Sequence, residues 1–235
     1  MTSQLLIVFS VLSFSLYAQD RETLQPDSIY KANHIKSRIQ YWISPQASKA
    51  KNITCYDTLG RLTDYKLTDN ETGTNQMRIV YHYDNKCRQS GYTNYDDIDS
   101  TVETVAYQFD KLNRVIKAVH KIDGKLYEIE KIGYHPWIET AVYFDVEGNV
   151  IRKDTAHFEN ENVYNKYSGF EFRDGKKQTW NYTLKATYDA LGRLVKLGNP
   201  ISSEYFYDNR GLLIRKESGD VQSRLITIFD YTYWK

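Results

Sequence analysis

Apolar residues recur at every second position along most of this chain, which is the period of a β-strand with one face packed and the other in water. In the segment IKSRIQYWI this alternation places Ile35, Ser37, Ile39, Tyr41 and Ile43 on one side. We therefore expect strands from near His34 to the end of the chain, roughly fourteen or more. The polar lead at residues 19–33 predicts at most one short helical turn, near residues 28–33.

A six-residue phrase that opens with an aromatic residue and Asp recurs among these segments. Its copies are YDTLGR from Tyr56, YDNKCR from Tyr83, FDKLNR from Phe109, FDVEGN from Phe144, YDALGR from Tyr188 and YDNRGL from Tyr207. Asp at the start of a type I turn accepts hydrogen bonds from the turn amides, and Gly or Asn at its fourth position tolerates positive φ. The phrase therefore predicts turn residues at Asp57, Gly60, Asp84, Asp110, Asn113, Asp145, Gly148, Asp189, Gly192, Asp208 and Gly211.

The closing Arg of the phrase is most simply a cross-strand partner of the Asp. The alternative is a repeated ligand site built from Asp and Arg, but each residue already has a sufficient structural role. A three-residue hairpin with a bulge would place the aromatic residue of each copy opposite the residue that follows the phrase's last position. These opposite residues are Leu62, Gln89, Val115, Val150, Leu194 and Leu213, of which five are apolar.

Stepping back by two residues from each aromatic position predicts the core face of the preceding strand. The residues predicted to face the core are Met77, Ile79, Tyr81, Ile138, Val142, Trp180, Tyr182, Leu184 and Ala186. Two-residue hairpin turns are predicted at Asp123–Gly124 and at Asp174–Gly175. The fold class is therefore all-β: a meander of consecutive antiparallel hairpins over residues 34–235, forming one large twisted sheet that curls or stacks on itself.

The first eighteen residues have the layout of a secretory signal, with an apolar run from Leu5 to Leu16 and the small residue Ala18 before polar Gln19. We predict cleavage after Ala18; an uncleaved anchor is the alternative, because no Lys or Arg precedes the apolar run. The mature chain would then be exported, to a periplasm, a cell surface or the surroundings, without membrane insertion. Its net charge of +1 disfavours nucleic acid as a partner.

The phrases YDTLGR, FDKLNR, YDALGRLVKL and YDNRGLLIRK resemble the YD repeats of the RHS family, whose bacterial secreted and surface proteins build spiralling β-sheets. The resemblance extends from about His34 onward. Family members that enclose toxins have much longer arrays followed by a self-cleaving segment, which does not follow the repeats here. The resemblance therefore implies a short stand-alone array and, by analogy, binding to glycans or to another surface protein.

Chemical motifs are sparse. The five histidines lack close metal-ligand spacing, and no nucleophile elbow or phosphate-binding loop occurs, so we expect neither an enzyme nor a cofactor. Asp96, Asp97 and Asp99 form a weak calcium candidate in a segment that also fits a solvated turn. A disulfide between Cys55 and Cys87 is not expected, because about two strands, or ~10 Å, would separate them.

Three function classes remain for this sequence. A binding module for a glycan or an envelope protein would need exposed aromatic residues, for which the candidates are Trp42, Trp137, Trp180 and Trp234. Alternation places Trp42 on the polar side and Trp180 on the core face, and Trp137 follows Pro136 at a predicted break, so Trp42 and Trp137 are favoured. A structural or assembly partner of a larger surface or toxin system would need an open sheet edge or a flat partner face, for which the last strand, RLITIFDYTYW, is the candidate. A hydrolase or metal-dependent enzyme has the least support.

Overall fold

The computed structural model describes residues 27–43, 50–69, 72, 74–158, 164–183, 185–198, 202–219 and 225–234, so the predicted signal and its cleavage site lie outside the described residues. It contains one short helix, α1 (Asp27–Ala32), among these residues. The strands are β1 (Ile35–Ile43), β2 (Ala50–Tyr56), β3 (Leu62–Asp69), β4 (Asn75–Tyr83), β5 (Gln89–Asp96), β6 (Thr101–Phe109), β7 (Val115–Ile122), β8 (Lys125–His135), β9 (Ile138–Phe144), β10 (Val150–Phe158), β11 (Tyr164–Arg173), β12 (Lys176–Thr183), β13 (Lys185–Tyr188), β14 (Leu194–Gly198), β15 (Ser203–Tyr207), β16 (Leu213–Ser218) and β17 (Leu225–Tyr233). No helix in the described part of the chain has the length and apolar character needed to cross a membrane.

The strands form a single antiparallel meander that returns on itself. Consecutive strands pair from β1 to β12 and again from β13 to β17, and β17 pairs with β1. The predicted all-β meander is therefore confirmed, and its curled form is a nearly closed ring. The sequence had indicated that the last strand could be an open edge. This prediction is wrong, because β17 pairs with β16 on one side and with β1 on the other.

The ring has one seam, between β12 and β13. Each of these strands has one described partner, β11 for the first and β14 for the second. The pairings around the ring give β12 and β13 the same direction, and the two strands follow one another directly along the chain. They can therefore be counted as one strand position in the ring. Counting them as one leaves sixteen positions from the seventeen strands, and an even number allows antiparallel closure.

The repeat hairpins have the turn geometry of the predicted type. In the first copy Asp57 N donates to Arg61 O at 2.9 Å, and Oδ1 of Asp57 accepts from the amides of Leu59 and Arg61. The fourth turn position, counted from the Asp, has positive φ in every copy: Gly60 82°, Cys87 61°, Asn113 61°, Gly148 88°, Gly192 74° and Gly211 81°. All six predicted aromatic pairings are confirmed, from Tyr56 opposite Leu62 to Tyr207 opposite Leu213. Asp123 and Asp174 also have positive φ, as do the glycines that follow them.

Each repeat hairpin also carries a second bulge, beyond the one at the turn, that the sequence pattern did not reveal. After Tyr56 pairs with Leu62, Cys55 pairs with Asp64, so Thr63 is the extra residue, and the same shift occurs in the other five copies. A bulge of this kind changes which face the following residues occupy. We name the two faces by their residues: the inner face carries Ile79, His120 and Asp154, and the outer face is the opposite one.

The fourth repeat differs from the others in position and in facing. Its turn joins β9 to β10, whereas the turns of the other five copies lie at the opposite end of the strands. Strands follow one another in the same direction around the whole ring. A hairpin of the same geometry can therefore have its turn at the other end of the strands only if it is turned over, so that its inner face becomes its outer face. Phe144 and Val142 accordingly lie on the outer face, and Ala141 and Tyr143 are buried in their place. The prediction that Val142 and Ile138 face the core is therefore wrong.

The core lies along the inner face in separate clusters. One contains Leu194, Leu197, Tyr205, Leu213 and Phe229, and another contains Tyr65, Met77 and Ile79. The helix α1 closes a third cluster, in which Tyr30 stacks on Tyr56 with ring centres 4.2 Å apart. Of the other residues predicted to face the core, Trp180 is half-buried, Tyr182 is exposed, and Leu184 lies outside the described residues.

Candidate functional site

The outer face of β10, β11 and β12 forms a shallow groove of about 440 Å³. Two cross-strand rows line it. One row contains Thr155, Ser168 and Asn181, which are paired in register across the three strands. The second row, two residues further along each strand, contains Lys153, Phe170 and Thr179. The groove therefore presents hydroxyl, amide and ammonium groups around one aromatic ring.

Aromatic and basic side chains frame one side of this groove. The ring of Phe170 is half-buried, and Lys177 Nζ lies 4.1 Å from its centre. Phe172, on the same face, is 50% exposed and meets Phe170 edge to face at 5.8 Å. Exposed aromatic rings beside hydrogen-bonding side chains are the usual means by which proteins bind ligands that have both apolar and polar faces.

Directly behind the groove, the inner face of the same strands holds a buried ionic network. Asp154 is 1% exposed, accepts a hydrogen bond from Arg152 Nε at 2.7 Å, and accepts another from the Tyr167 hydroxyl at 2.7 Å. Burial raises the pKa of Asp154, and Arg152 opposes that shift. Burial alone would lower the pKa of Arg152, but the Asp154 carboxylate raises it above its ordinary value. These bonds hold β10 and β11 in a fixed relation.

Gly169 lets the third strand join this network. A Cβ there would lie 2.3 Å from the Lys153 carbonyl oxygen, 2.8 Å from the Trp180 ring and 2.9 Å from Asp154 Oδ1. The indole of Trp180 can therefore lie against the Asp154 network only because position 169 has no side chain. Trp180 also stacks on Tyr167 with ring centres 6.4 Å apart. The floor of the groove is thus a rigid three-strand unit.

A second buried polar cluster lies on the inner face of β6, β7 and β8. Nδ1 of His120 is 3.1 Å from Glu103 Oε1, and its Nε2 is 3.9 Å from Glu130 Oε2. Burial would lower the pKa of His120, but Glu103 and Glu130 raise it to about 9. Burial raises the pKa of Glu128 to about 7. His120 is buried and lies on the face opposite the groove, so this cluster acts on stability and not on a ligand in the groove.

The structure does not bring the predicted ligand-binding tryptophans together. Trp42 is half-buried on the inner face opposite Thr227, so its predicted exposure is wrong. The cause is a bulge between Ile35 and Ser37, which places Arg38 inside with 2% exposure. Trp137 is 61% exposed in the turn between β8 and β9, with φ of 60°.

The weak calcium candidate has a different role. Oδ1 of Asp96 accepts hydrogen bonds from the amides of Ile98 and Asp99, at 2.8 and 3.0 Å, so it caps the turn. Among the described residues no group of three or more His, Cys, Asp or Glu side chains is placed to hold a metal ion. Cys55 and Cys87 are both free thiols, half-buried and exposed respectively.

Sequence reasoning missed the groove because none of its residues forms a recognisable motif. The available signal was the alternation in β10 and β11, in which Lys153 and Thr155, and then Ser168 and Phe170, share one face. This alternation indicates an outer-face groove only after the facing of β9 and β10 is known, and the fourth repeat reverses that facing.

No protein-family model and no curated protein matches the chain. Among solved structures, a porin-like protein from Bacteroides uniformis has a TM-score of 0.44 at 11% identity, over 84% of this chain and 98% of that one. A protein of unknown function from Bacteroides fragilis has a TM-score of 0.27 at 12% identity, over 57% and 92% of the two chains. The structure of TcdB2-TccC3-TEV has a TM-score of 0.23 at 12% identity; the match covers 78% of this chain and 13% of that one. These likenesses are too distant to carry an argument.

Proposed function

We propose that this chain is an exported, non-enzymatic YD-repeat module of the bacterial cell envelope, and that it binds a glycan in the groove on β10, β11 and β12. The groove on the outer face carries this proposal. A sugar ring has an apolar face that stacks on an aromatic ring and hydroxyl groups at its edge that need hydrogen-bonding partners. Phe170 offers the ring, and Thr155, Ser168 and Asn181 offer the partners at fixed register.

The rigidity of the groove supports the same function. Binding costs less free energy when the site needs no reordering. The Asp154 network and the close contact at Gly169 hold the three strands together from behind. By contrast, the buried titratable groups of the Asp154 network and the His120 cluster face away from the groove.

A glycan array followed by isothermal titration with the mature chain tests this proposal. Phe170→Ala is expected to weaken binding of an array hit at least about tenfold, because stacking on the ring is lost. Phe206→Ala is the matched control, since Phe206 is another half-buried outer-face ring under a cation, with Arg215 4.1 Å from its centre. Absence of any glycan ligand, or equal binding by the Phe170 variant and the parent, would contradict the proposal.

A second candidate, an assembly partner of a larger surface system, is favoured by the end of the sheet that carries five repeat turns. Leu112 and Leu191 at turn tips are 71% and 78% exposed, and Trp137 at the same end is 61% exposed. Exposed apolar side chains gathered at one end of a molecule are typical of protein contacts. Substituting Leu112 and Leu191 with Ser should abolish copurification of an envelope partner and leave glycan binding unchanged.

A further inference from the structure

The acidic side chains of strands β7 to β12 all lie on one face of the sheet, and most of the lysines of these strands lie on the other. All five acidic residues of these strands, Glu128, Glu130, Glu139, Asp154 and Glu171, lie on the inner face. Six lysines lie on the outer face: Lys117, Lys121, Lys131, Lys153, Lys166 and Lys177. The chain has a net charge of only +1, so this basic face is invisible in the composition.

Three of the lysines form a line that leads into the groove. Lys117 pairs with Lys131 across β7 and β8, and Val142 of β9 separates Lys131 from Lys153. The next residue in the same line is Phe170. With neighbouring strands about 4.8 Å apart, the line places Lys153 roughly 10 Å from Lys131 and 15 Å from Lys117.

A line of hydroxyl and amide groups runs beside the lysines. It contains Thr140, Thr155, Ser168 and Asn181, in register across β9 to β12. Two residues along a strand separate the two lines, which is about 7 Å. An extended chain lying across the strands could therefore contact ammonium groups along one edge and hydroxyl groups along the other.

The lysines of this face are not neutralised by the protein. None of the six forms an ion pair with another described residue, and five of them are exposed. Lys131 and Lys177 lie over aromatic rings, at 4.7 Å from Phe144 and 4.1 Å from Phe170, which orients them without cancelling their charge. Unpaired like charges on one surface repel each other, and an anionic ligand would relieve this repulsion.

We propose that the glycan bound by this face is a linear acidic polysaccharide, which lies across the strands from the Phe170 groove along Lys153, Lys131 and Lys117. This proposal rests on the proposed glycan-binding function and gives it a ligand class. Carboxylate groups along the polymer pair with the lysines, while one sugar ring stacks on Phe170. The row of hydroxyl and amide side chains beside the lysines favours a polysaccharide over other polyanions, because these side chains can form hydrogen bonds with sugar hydroxyl groups.

Titration with polygalacturonate and with its fully methyl-esterified form tests this inference, because the two polymers share a backbone and differ in charge. The acidic polymer is expected to bind at least about tenfold more tightly, and salt should weaken its binding. The Lys131→Gln and Lys153→Gln double variant should lose at least about tenfold of this affinity. Lys86→Gln, which removes an exposed lysine in a repeat turn, should bind as the parent does.

Other outcomes separate the two proposals. Equal affinity for both polymers, together with loss of binding in Phe170→Ala, would overturn the acidic ligand and support the glycan function. Failure of both polymers to bind would also overturn it, while the glycan array judges the glycan function independently. If a single-stranded oligonucleotide bound as tightly as polygalacturonate and Phe170→Ala did not matter, the face would be a general polyanion surface and the inference would be wrong.

Discussion

The guanidinium carbon of Arg61 lies 4.7 Å from the ring centre of Tyr83, so the Arg of the first repeat stacks on the aromatic residue of the second. The same relation joins Arg88 to Phe109 at 4.2 Å, and Arg193 to Tyr207 at 4.7 Å. The Arg therefore has two partners, because Arg61 Nε also donates to Asp57 at 2.7 Å. Consecutive turns are fastened to one another, and this gives the repeated phrase a role beyond the single hairpin.

A double-mutant cycle of Arg61→Leu and Tyr83→Leu measures this stacking. A coupling free energy of about 0.5–1 kcal/mol is expected, the range for a cation over an aromatic ring at a partly exposed site. Urea unfolding of the parent, both single variants and the double variant provides the four values. Arg61→Lys should lose most of the coupling although it keeps the charge, because the planar guanidinium is lost. Additive effects would show that the two side chains are merely adjacent.

Gly192→Val should destabilise the chain by about 1–3 kcal/mol, because a β-branched residue is strained at positive φ. The φ of Gly192 is 74°, and a Cβ there would meet no atom within 4 Å, so strain of the backbone is the only cost. Gly192→Asn should cost much less. Gly133→Val is the matched control, because Gly133 is equally open but does not have positive φ. Equal losses at both glycines, in chemical denaturation, would contradict the turn assignment.

Gly169→Ala should destabilise the chain by about 3 kcal/mol, because overpacking against fixed neighbours forces the strands to shift. The added methyl group would lie 2.3 Å from a backbone oxygen of β10, which cannot move as a side chain can. Gly133→Ala, with open space around it, should change stability little. An unchanged melting temperature for Gly169→Ala would show that β10 and β11 are not held closely together.

The sequence predicts the local part of this fold well. Turn chemistry is decided within six residues, which is why the pairings of Tyr56 with Leu62 and Tyr188 with Leu194 could be derived without a structure. The facing of a strand is not local. It depends on bulges such as the one beside Ile35 and on the end of the sheet at which a hairpin lies, as at Phe144. The groove and the basic face depend on that facing, so sequence alone could not place them.

Cys87→Gly should stabilise the chain by about 1 kcal/mol, because Cys87 occupies a left-handed position that costs an ordinary residue free energy and costs Gly little. The φ of Cys87 is 61°.

Cys87 should react rapidly with a thiol reagent, since it is exposed. Cys55 should react slowly, because burial and then Asp64 raise the pKa of its thiol. Two equal reaction rates, or destabilisation by Cys87→Gly, would count against these assignments.

Stability should fall as pH rises from about 5 to 9 because of the buried cluster at His120, which Glu103, Glu128 and Glu130 surround. Burial raises the pKa of Glu128 from 4.5 to about 7, so the folded state binds a proton at this carboxylate more tightly than the unfolded state does. The stability that this proton contributes is lost as pH rises from 4.5 to about 7. Burial opposes protonation of His120, but Glu103 and Glu130 raise its pKa from 6.5 to about 9. Its contribution is complete below pH 6.5 and is lost as pH approaches 9.

The variant His120→Gln isolates the upper part of this dependence. The parent should lose up to about 3 kcal/mol of unfolding free energy between pH 6.5 and 9 through this residue, since each unit of pKa shift corresponds to about 1.4 kcal/mol. His120→Gln should be nearly flat over the same range, and Glu128→Gln should flatten only the range from 4.5 to 7. His82→Gln, at an exposed histidine, is the control and should keep the parent's slope. A parent whose stability is constant or rises from pH 6.5 to 9 would show that His120 is not held protonated by its carboxylate neighbours.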